Sequence, residues 1–550
     1  MIKDAKKLKN NQELRADIII VGTGAGGMAS AIEFIDSGLS VIVLEAGHES
    51  YDEVAQSVYE GDVSDNGQHG KLSGYRRRML GGTSSVWGGR CSSFVDSDFE
   101  ERSYVANSGW PIKKSDLDPF YVKAHEYCDI GVYDYTVSGS LSTNEKIVPD
   151  LSSEKIAQDQ IWRFSLPTNF ATKFKSQIEQ AENITLYLNA NCLHIQLDEL
   201  GEEVKWLDCA STPDQKFRVK GCNYIIAAGG LETTRLLLVS NDVESAGIGG
   251  TSNKLGKYYG SHLTGNYGEV KLSTKSSGVS WKYKTSKDGV YYKQQLRVSE
   301  AEQEVKGLMN TRIILSHPGF GDPSHGSGVL SGAYMVKRFL KGQIPPEYSK
   351  DLASAEYKNV GRHLKNIILD SPKSMIFMFD WIRRRVLSKR KLPSIALRSK
   401  SNVYTLHYDS EQTPVAESVI SLSKKKDMFG MPRLNVDWRF DEKDLDNLFQ
   451  TYKTLSEELD KSGAGQMLSN DDEVKNRIKS QIGVGSHHLG STRMSAGKEN
   501  GVVDVNCKVH TVNNLYLASP SVFCTGSFAN PFLTIVALAL RIANHIKQEG

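Results

Sequence analysis

Four consecutive apolar residues, Ile18–Val21, follow a charged N-terminal stretch and precede a glycine-rich turn. An uninterrupted apolar run of this length predicts a parallel strand buried on both faces. Met28, Ile32 and Ile35 then recur at helical spacing, and Gly38 stops the helix. Val41–Leu44 repeats the apolar run, so residues 17–45 read as β–α–β. Residues 46–90 are loop-rich, and 110–130 predict a helix entered through Ser115 or Asp116. Residues 184–228 alternate in strand fashion. From about 265 to 475, segments such as YTLHYDSEQ and SVISLS alternate in a way that predicts an antiparallel sheet. After 480 the parallel pattern returns, with a strand at 515–518 and a helix with one apolar face at 534–547.

This order places a nucleotide-type unit at both ends of the chain. The expected class is α/β (α+β overall). One unit covers 1–265 and 478–550, with loop-rich inserts near 50–80 and 130–180. A second, antiparallel unit covers 266–477. The 550 residues suffice for two to four structural units. Abundant Gly (48) with sparse Pro (15) suits many tight strand–helix turns. A formal charge of +2 predicts no nucleic-acid footprint. The seven cysteines are scattered without a C-x-x-C pair, which argues against a disulfide framework or a zinc site and for a reducing compartment. The charged N-terminus has no secretory signal pattern, and no run of about 18 apolar residues occurs. The expected location is the cytoplasm.

Gly22, Gly24 and Gly27 form G-x-G-x-x-G between the first strand and helix. The first glycine permits the tight turn, the second lets backbone approach a pyrophosphate, and the third lets helix and strand pack closely. The helix N-terminus offers free N–H groups and its positive end to a diphosphate. Glu45, at the end of the second strand, is placed to accept hydrogen bonds from a ribose. This pattern fits FAD and NAD alike.

A second cluster, GGTSSVWGG at 81–89, is a loop of small residues able to lie flat against a planar ligand. A generic Gly/Ser surface loop would look the same. Near the C-terminus, His487 and His488 lie in GSHHLGSTRM, and Asn530 and Pro531 in ANPFLTIVALALRIA. A histidine takes a proton near neutral pH, and an asparagine can hold an alcohol oxygen. Asn530 and Pro531 also read as N-cap and N1 of the last helix. Adjacent histidines point apart, so they make a poor metal site, and no metal is expected.

With these motifs in hand, the chain resembles the glucose–methanol–choline (GMC) flavoprotein oxidoreductases over most of its length. GTGAGG with Glu45, GGTSSVWGG, IIAAGGLETTRLLL and HHLGST…ANPFLTIVALALRIA carry the resemblance in order. EQTPVAESVISLSKKKDMFGMPRLNVDW and NLYLASPSVFCTGSFANPF look most like the bacterial branch related to pyranose oxidases and glycoside 3-oxidases. The resemblance implies a Rossmann-like FAD-binding domain and a discontinuous antiparallel-sheet substrate-binding domain. It implies His487 as catalytic base and Asn530 as its partner, with His488 and Gln412 in supporting or substrate-contacting places. Gly22, Gly24, Gly27 and Glu45 match the ADP contacts. Gly82, Thr83, Ser84 and Ser85 match the loop beside the isoalloxazine. Cys192 and Leu193 match the adenine flank, and Ala228, Ser519, Asn530 and Pro531 complete the cofactor contacts. Val86 stands where some relatives carry a histidine joined to the flavin, so the FAD is expected to be non-covalent. Ser519, followed by Pro520, stands where many relatives have an Asp.

The implied reaction is oxidation of an alcohol, foremost a hydroxyl of a sugar or glycoside, to a ketone or aldehyde. His487 takes the proton, and hydride passes to flavin N5. The acceptor that reoxidises the flavin is oxygen, a quinone or a protein carrier. A non-sugar alcohol, or a non-redox lyase of the same fold, is the alternative. Residues 375–400 combine an apolar stretch with Arg383, Arg384, Arg385, Lys389, Arg390 and Lys391. They read either as a solvated helix face on an insertion or as a docking surface for an anionic membrane, an acidic partner or a second subunit.

Overall fold

The computed structural model describes residues 1–64, 68–140, 145–319, 321–336, 358–394, 396–397, 399–484 and 487–549. Its first sheet has six parallel strands, in the order Ile2–Asp4, Ile184–Leu188, Val41–Leu44, Ile18–Val21, Asn223–Ile226, Leu515–Leu517. Ile18–Val21 and Val41–Leu44 are buried at every position, as uninterrupted apolar runs require. Chain order reverses at Ile18–Val21, which has Val41–Leu44 on one side and Asn223–Ile226 on the other. In open α/β sheets such a switch point opens a crevice beyond the carboxyl ends of the strands. The C-terminus completes this half. Leu515–Leu517 is its edge strand, and the last helix, Phe532–Glu549, packs between Ala25–Glu33 and Lys114–Tyr127. The apolar face of the last helix, from Leu533 through Ile546, is buried in the same core cluster as the parallel strands. A four-stranded sheet, Gln12–Arg15, Gln215–Lys220, Val204–Thr212, Asn191–Leu197, flanks it.

A nine-stranded sheet forms the other half. Its path runs Gly465–Met467, Leu263–Leu272, Val403–Ser410, Thr311–Ser316, Tyr291–Val298, Ile156–Phe164, Arg90–Cys91, with Lys284–Thr285 and Gly483–Val484 off the path. All its pairings are antiparallel. It has its own core cluster, with Trp281, Tyr404, Tyr408 and Tyr452 buried.

Four local readings need correction. The helix within 110–130 spans Lys114–Tyr127 and is entered from Lys113; Asp116 lies in its first turn, where its carboxylate accepts the Lys113 N–H at 2.8 Å. An acid three residues in closes the helix start by reaching back, so it marks the third helical position rather than the cap. The first helix ends at Glu33, so Ile35 lies beyond it. The strand Ile156–Phe164, in a stretch read as an insert, and the two-residue strand Arg90–Cys91, at the end of a loop-rich stretch, both join the antiparallel sheet. A two-residue strand has no period to detect, and its pairing with Arg163 and Phe164 is set by tertiary contact. Asn530 does not cap the last helix. The Pro531 carbonyl accepts the first bond, from the Ile535 N–H at 2.9 Å, and the Asn530 amide is bonded elsewhere.

Candidate active site and cofactor cradle

The glycine turn after Ile18–Val21 is built as its spacing requires. Gly22 has φ +100°, and a Cβ there would lie 2.6 Å from the Ala227 carbonyl oxygen. A Cβ on Gly27 would lie 1.9 Å from the Gly22 carbonyl oxygen, which no side chain can satisfy. Gly24 caps the helix without a side-chain bond, and the space where its Cβ would point is open. A free helix N-terminus beside a missing side chain is a place for an anion to approach backbone. Gly26, which the motif leaves unassigned, is equally constrained: its Cβ would meet the Ala518 carbonyl oxygen at 2.4 Å. Gly26 thus ties the loop to the C-terminal strand.

Glu45 is buried, and its carboxylate accepts from the Thr23 backbone N–H (3.2 Å), the Thr23 hydroxyl and the Gly47 N–H (2.7 Å). Burial pushes its pKa up, opposed by those bonds and by Arg78. The Thr23 hydroxyl also accepts the Gly81 N–H at 3.0 Å. Thr23, buried and missed by motif reasoning, therefore locks the acidic residue to the second glycine loop. A Cβ on Gly82 would lie 3.0 Å from Gly24 Cα, so the two loops touch. Within the second loop, Ser84 donates to Gly81 O (2.6 Å) and Ser85 to Gly82 O (2.9 Å), while Thr83 is exposed. Val86 is 50% exposed and bears no nucleophile. Trp87 stacks on Phe532 at 3.8 Å, joining this loop to the last helix. Cys192 and Leu193, partly exposed, follow Ala190, whose N–H donates to the Glu45 carbonyl at 2.8 Å. Ala228 caps Gly229–Val239 without a side-chain bond, and Gly229 at φ +80° faces open space. Ser519 is buried, with its hydroxyl 3.0 Å from that of Ser521.

The residues around this crevice fit a dinucleotide cofactor. Two uncapped helix starts and open Cα faces at Gly24 and Gly229 form a cradle that any Cβ would fill.

His487 lies beyond Val484, which pairs with Leu263, and before Leu489, which bridges Gly260. That antiparallel contact brings His262 against His487, with their Nδ1 atoms 2.5 Å apart. The polar chain through this pair fixes each proton. The Arg90 Nε–H donates to Asn530 Oδ1 at 2.8 Å, so Asn530 Nδ2 is the amide NH₂ and donates to His487 Nε2 at 3.2 Å. His262 Nε2 faces the Gly526 carbonyl at 3.0 Å and must carry a proton, which leaves its Nδ1 as acceptor for the His487 Nδ1–H. His487 is thus the Nδ1–H tautomer, with a basic lone pair on Nε2. Burial, then the nearby His262, Arg90 and His488, hold its pKa well below the usual imidazole value. It is a neutral base.

Arg90 is anchored in turn. Its guanidinium pairs with Asp409 at 2.9 Å and lies 4.4 Å over the Trp162 ring. Behind the 525–530 loop, buried Asp98 accepts from Ser527 (2.7 Å) and Asn310 (2.9 Å), and its backbone carbonyl accepts from Thr525 (2.9 Å). Ser527 sits at φ +52°, a conformation that costs a non-glycine residue on the order of 1–3 kcal/mol. The Asp98 bonds hold that turn and with it the Gly526 carbonyl. His488 turns away from His487: its Nδ1 is 2.7 Å from the Tyr259 hydroxyl, which is 2.7 Å from His69 Nε2. Gln412 is committed to the fold, accepting from Ser261 N (3.1 Å) and Trp438 Nε1 (3.0 Å) and donating to Arg439 O (2.7 Å).

The structure thus brings His487 and Asn530 together and adds His262, Arg90 and Asp409, which motif reasoning missed. A charge inside an alternating strand (Asp409), a cation closing a glycine loop (Arg90) and a histidine just before a strand (His262) were the available signals. None specifies a partner.

Comparison with known proteins agrees with this architecture. Residues 414–539 match the family model described as GMC oxidoreductase, and 17–58 match an FAD binding domain. A 2-methyl-1,2-propanediol dehydrogenase of Mycolicibacterium austroafricanum is 20% identical, covering 97% of this chain and 95% of the relative. The fructose dehydrogenase large subunit of Gluconobacter japonicus is also 20% identical, covering 98% of each. Among solved structures, a formate oxidase of Aspergillus oryzae shares the fold with a TM-score of 0.55 at 14% identity, covering 98% of this chain and 99% of that one.

Proposed function

We propose that the chain is a GMC-type oxidoreductase that uses FAD to oxidise an alcohol, with His487 and Asn530 carrying the reaction on a hydroxyl of a sugar or glycoside. The observation that carries this reading is the 3.2 Å contact between Asn530 Nδ2–H and the lone pair of His487 Nε2. Donor and base face each other, so an alcohol oxygen that enters between them replaces this bond. An alcohol oxygen placed there accepts from Asn530 and gives its proton to His487 Nε2. General-base help of this kind is worth about 10²–10⁴ in rate. When bound, FAD supplies the acceptor for the hydride that leaves the carbinol carbon.

The other members act through this pair. Arg90 fixes which end of the Asn530 amide faces the base. His262 fixes the His487 tautomer and receives no proton itself. Arg90 and Asp409 are partly exposed beside Asn530 and offer polar recognition of a polyol. The fructose relative supports a sugar, and the diol relative supports a smaller non-sugar alcohol as the second reading. Under this proposal 1–265 with 478–550 hold the cofactor and 266–477 face the substrate, joined there by the strands Arg90–Cys91 and Ile156–Phe164. With Val86 in the loop, the FAD is held non-covalently, so acid precipitation releases a yellow supernatant; a yellow pellet would contradict this.

The test is anaerobic mixing of the holoenzyme with free sugars, glycosides and simple diols. Loss of flavin absorbance with sugars or glycosides supports the proposal. Bleaching by diols alone favours the second reading. Unbleached flavin with aldehyde release would instead show a lyase.

A further inference from the structure

Between the adjacent strands Thr311–Ser316 and Val403–Ser410, where a short turn would suffice, the chain makes a long excursion. Its described part from 358 to 394 contains the helices Val360–Leu369 and Ser371–Trp381, the second continuing as a π-helical turn over Ile382–Leu387. Of the 23 large apolar side chains exposed among the described residues, ten lie between 364 and 387. Met375, Phe379, Ile382 and Val386 recur at helical spacing and are 69, 75, 42 and 57% exposed. Soluble surfaces carry scattered apolar residues; a contiguous stripe of this kind marks a contact surface.

Charge identifies the contact. Residues 358–394 hold ten Lys and Arg against two Asp, in a chain whose total charge is +2. Both acids are already engaged, Asp370 with Lys400 and Asp380 with Arg383 and Arg384. Arg362, Lys365, Lys389 and Lys391 are exposed. A twofold contact between two copies would press this cationic face against itself. An apolar stripe flanked by cations is the arrangement of a helix lying in the headgroup region of an anionic bilayer. No described helix is long and apolar enough to cross a membrane, so the contact is peripheral.

The segment is tied to the body. Trp381 packs against the main core, Arg390 donates to the Asp129 and Phe164 carbonyls at 3.1 Å each, and the Lys391 N–H donates to Leu166 O at 3.4 Å. Phe164 is the strand partner of Arg90. The segment that carries the apolar face is therefore bonded to the same strand end that pairs with Arg90.

We propose that residues 360–391 dock this enzyme peripherally onto an anionic membrane surface, with the apolar stripe entering the headgroup region and the flanking cations pairing with lipid phosphates.

The experiment is co-sedimentation of the full-length holoenzyme with phosphatidylcholine vesicles, with and without about one-third phosphatidylglycerol. Binding to the anionic vesicles is expected, weakening as salt rises through about 0.15 M. The combined exchange Arg383→Gln, Lys389→Gln and Lys391→Gln should lower the partition coefficient about 100-fold, at about fivefold per charge. Met375→Ser with Phe379→Ser should lower it even at low salt. Turnover of a soluble alcohol should be unchanged in both variants. No binding to anionic vesicles at low salt, or equal binding to neutral and anionic vesicles, would overturn the proposal. So would a sedimentation-velocity dimer that Phe379→Ser dissolves, because the face would then be covered by a second copy.

Discussion

The cofactor cradle and the candidate catalytic cluster solve opposite problems. Around the parallel sheet the chain works by leaving side chains out: Gly22, Gly26 and Gly27 allow backbone to pack on backbone, and Gly24 leaves a space open. Around the edge of the antiparallel sheet it works by pairing side chains. Asp409, Arg90, Asn530, His487 and His262 form a continuous polar chain ending on the Gly526 carbonyl. A site made of absent side chains is written in local spacing. A site made of paired side chains is written only in tertiary contacts.

The largest expected effect lies in the cradle. Gly27→Ala forces a methyl into a carbonyl and should cost about 3 kcal/mol, read as a large fall in thermal midpoint together with loss of FAD. Gly24→Ala meets no protein atom, so it should weaken FAD binding while the apoprotein melts as before. Equal melting losses in both would erase the distinction between a packing glycine and an open one.

In the cluster, Arg90→Met frees the Asn530 amide to turn and removes a bond from a charged donor. A loss of about 2 kcal/mol, roughly 30-fold, is expected in kcat with FAD content unchanged. An unchanged kcat would show that Asn530 needs no anchor. His262→Phe leaves the His487 Nδ1–H without its acceptor, and a loss of about 1 kcal/mol, roughly fivefold, is expected.

The smallest effect is on pH. The neutral form of His487 is the active one, and burial lowers its pKa. The neutral base therefore persists as pH falls through about 6.5, and the acid limb of kcat/KM lies below that value. Arg90 is among the charges that lower this pKa, so Arg90→Met should move the limb upward. A wild-type limb at or above 6.5 would place His487 in a wetter setting than the structure gives it.

This contrast also explains what could be read in advance. The strands Ile18–Val21 and Val41–Leu44, the glycine roles and Glu45 follow from short-range pattern, and geometry matches them residue by residue. The meeting of His487 with Asn530 depended on a family resemblance, because they lie 43 positions apart and nothing in the chain between them sets their distance. Asp409 and Arg90 were illegible for a physical reason. Their strands pair with neighbours far apart in sequence, and a lone charge in a strand does not announce its counterion. The Asn530–Pro531 pair misled because capping preference is local, whereas the amide is drawn off by Arg90 from another element. The apolar and basic segment at 375–400 was legible as composition, but only the fold shows that its apolar side is uncovered by the described residues.

The central claim is that His487, held neutral with its lone pair on Nε2, takes the alcohol proton. Single-turnover anaerobic flavin reduction, comparing wild type with His487→Ala at saturating substrate, tests it most directly. The account predicts full FAD occupancy in both and a reduction rate about 10²–10⁴ lower in the variant. Equal rates of flavin bleaching would contradict it.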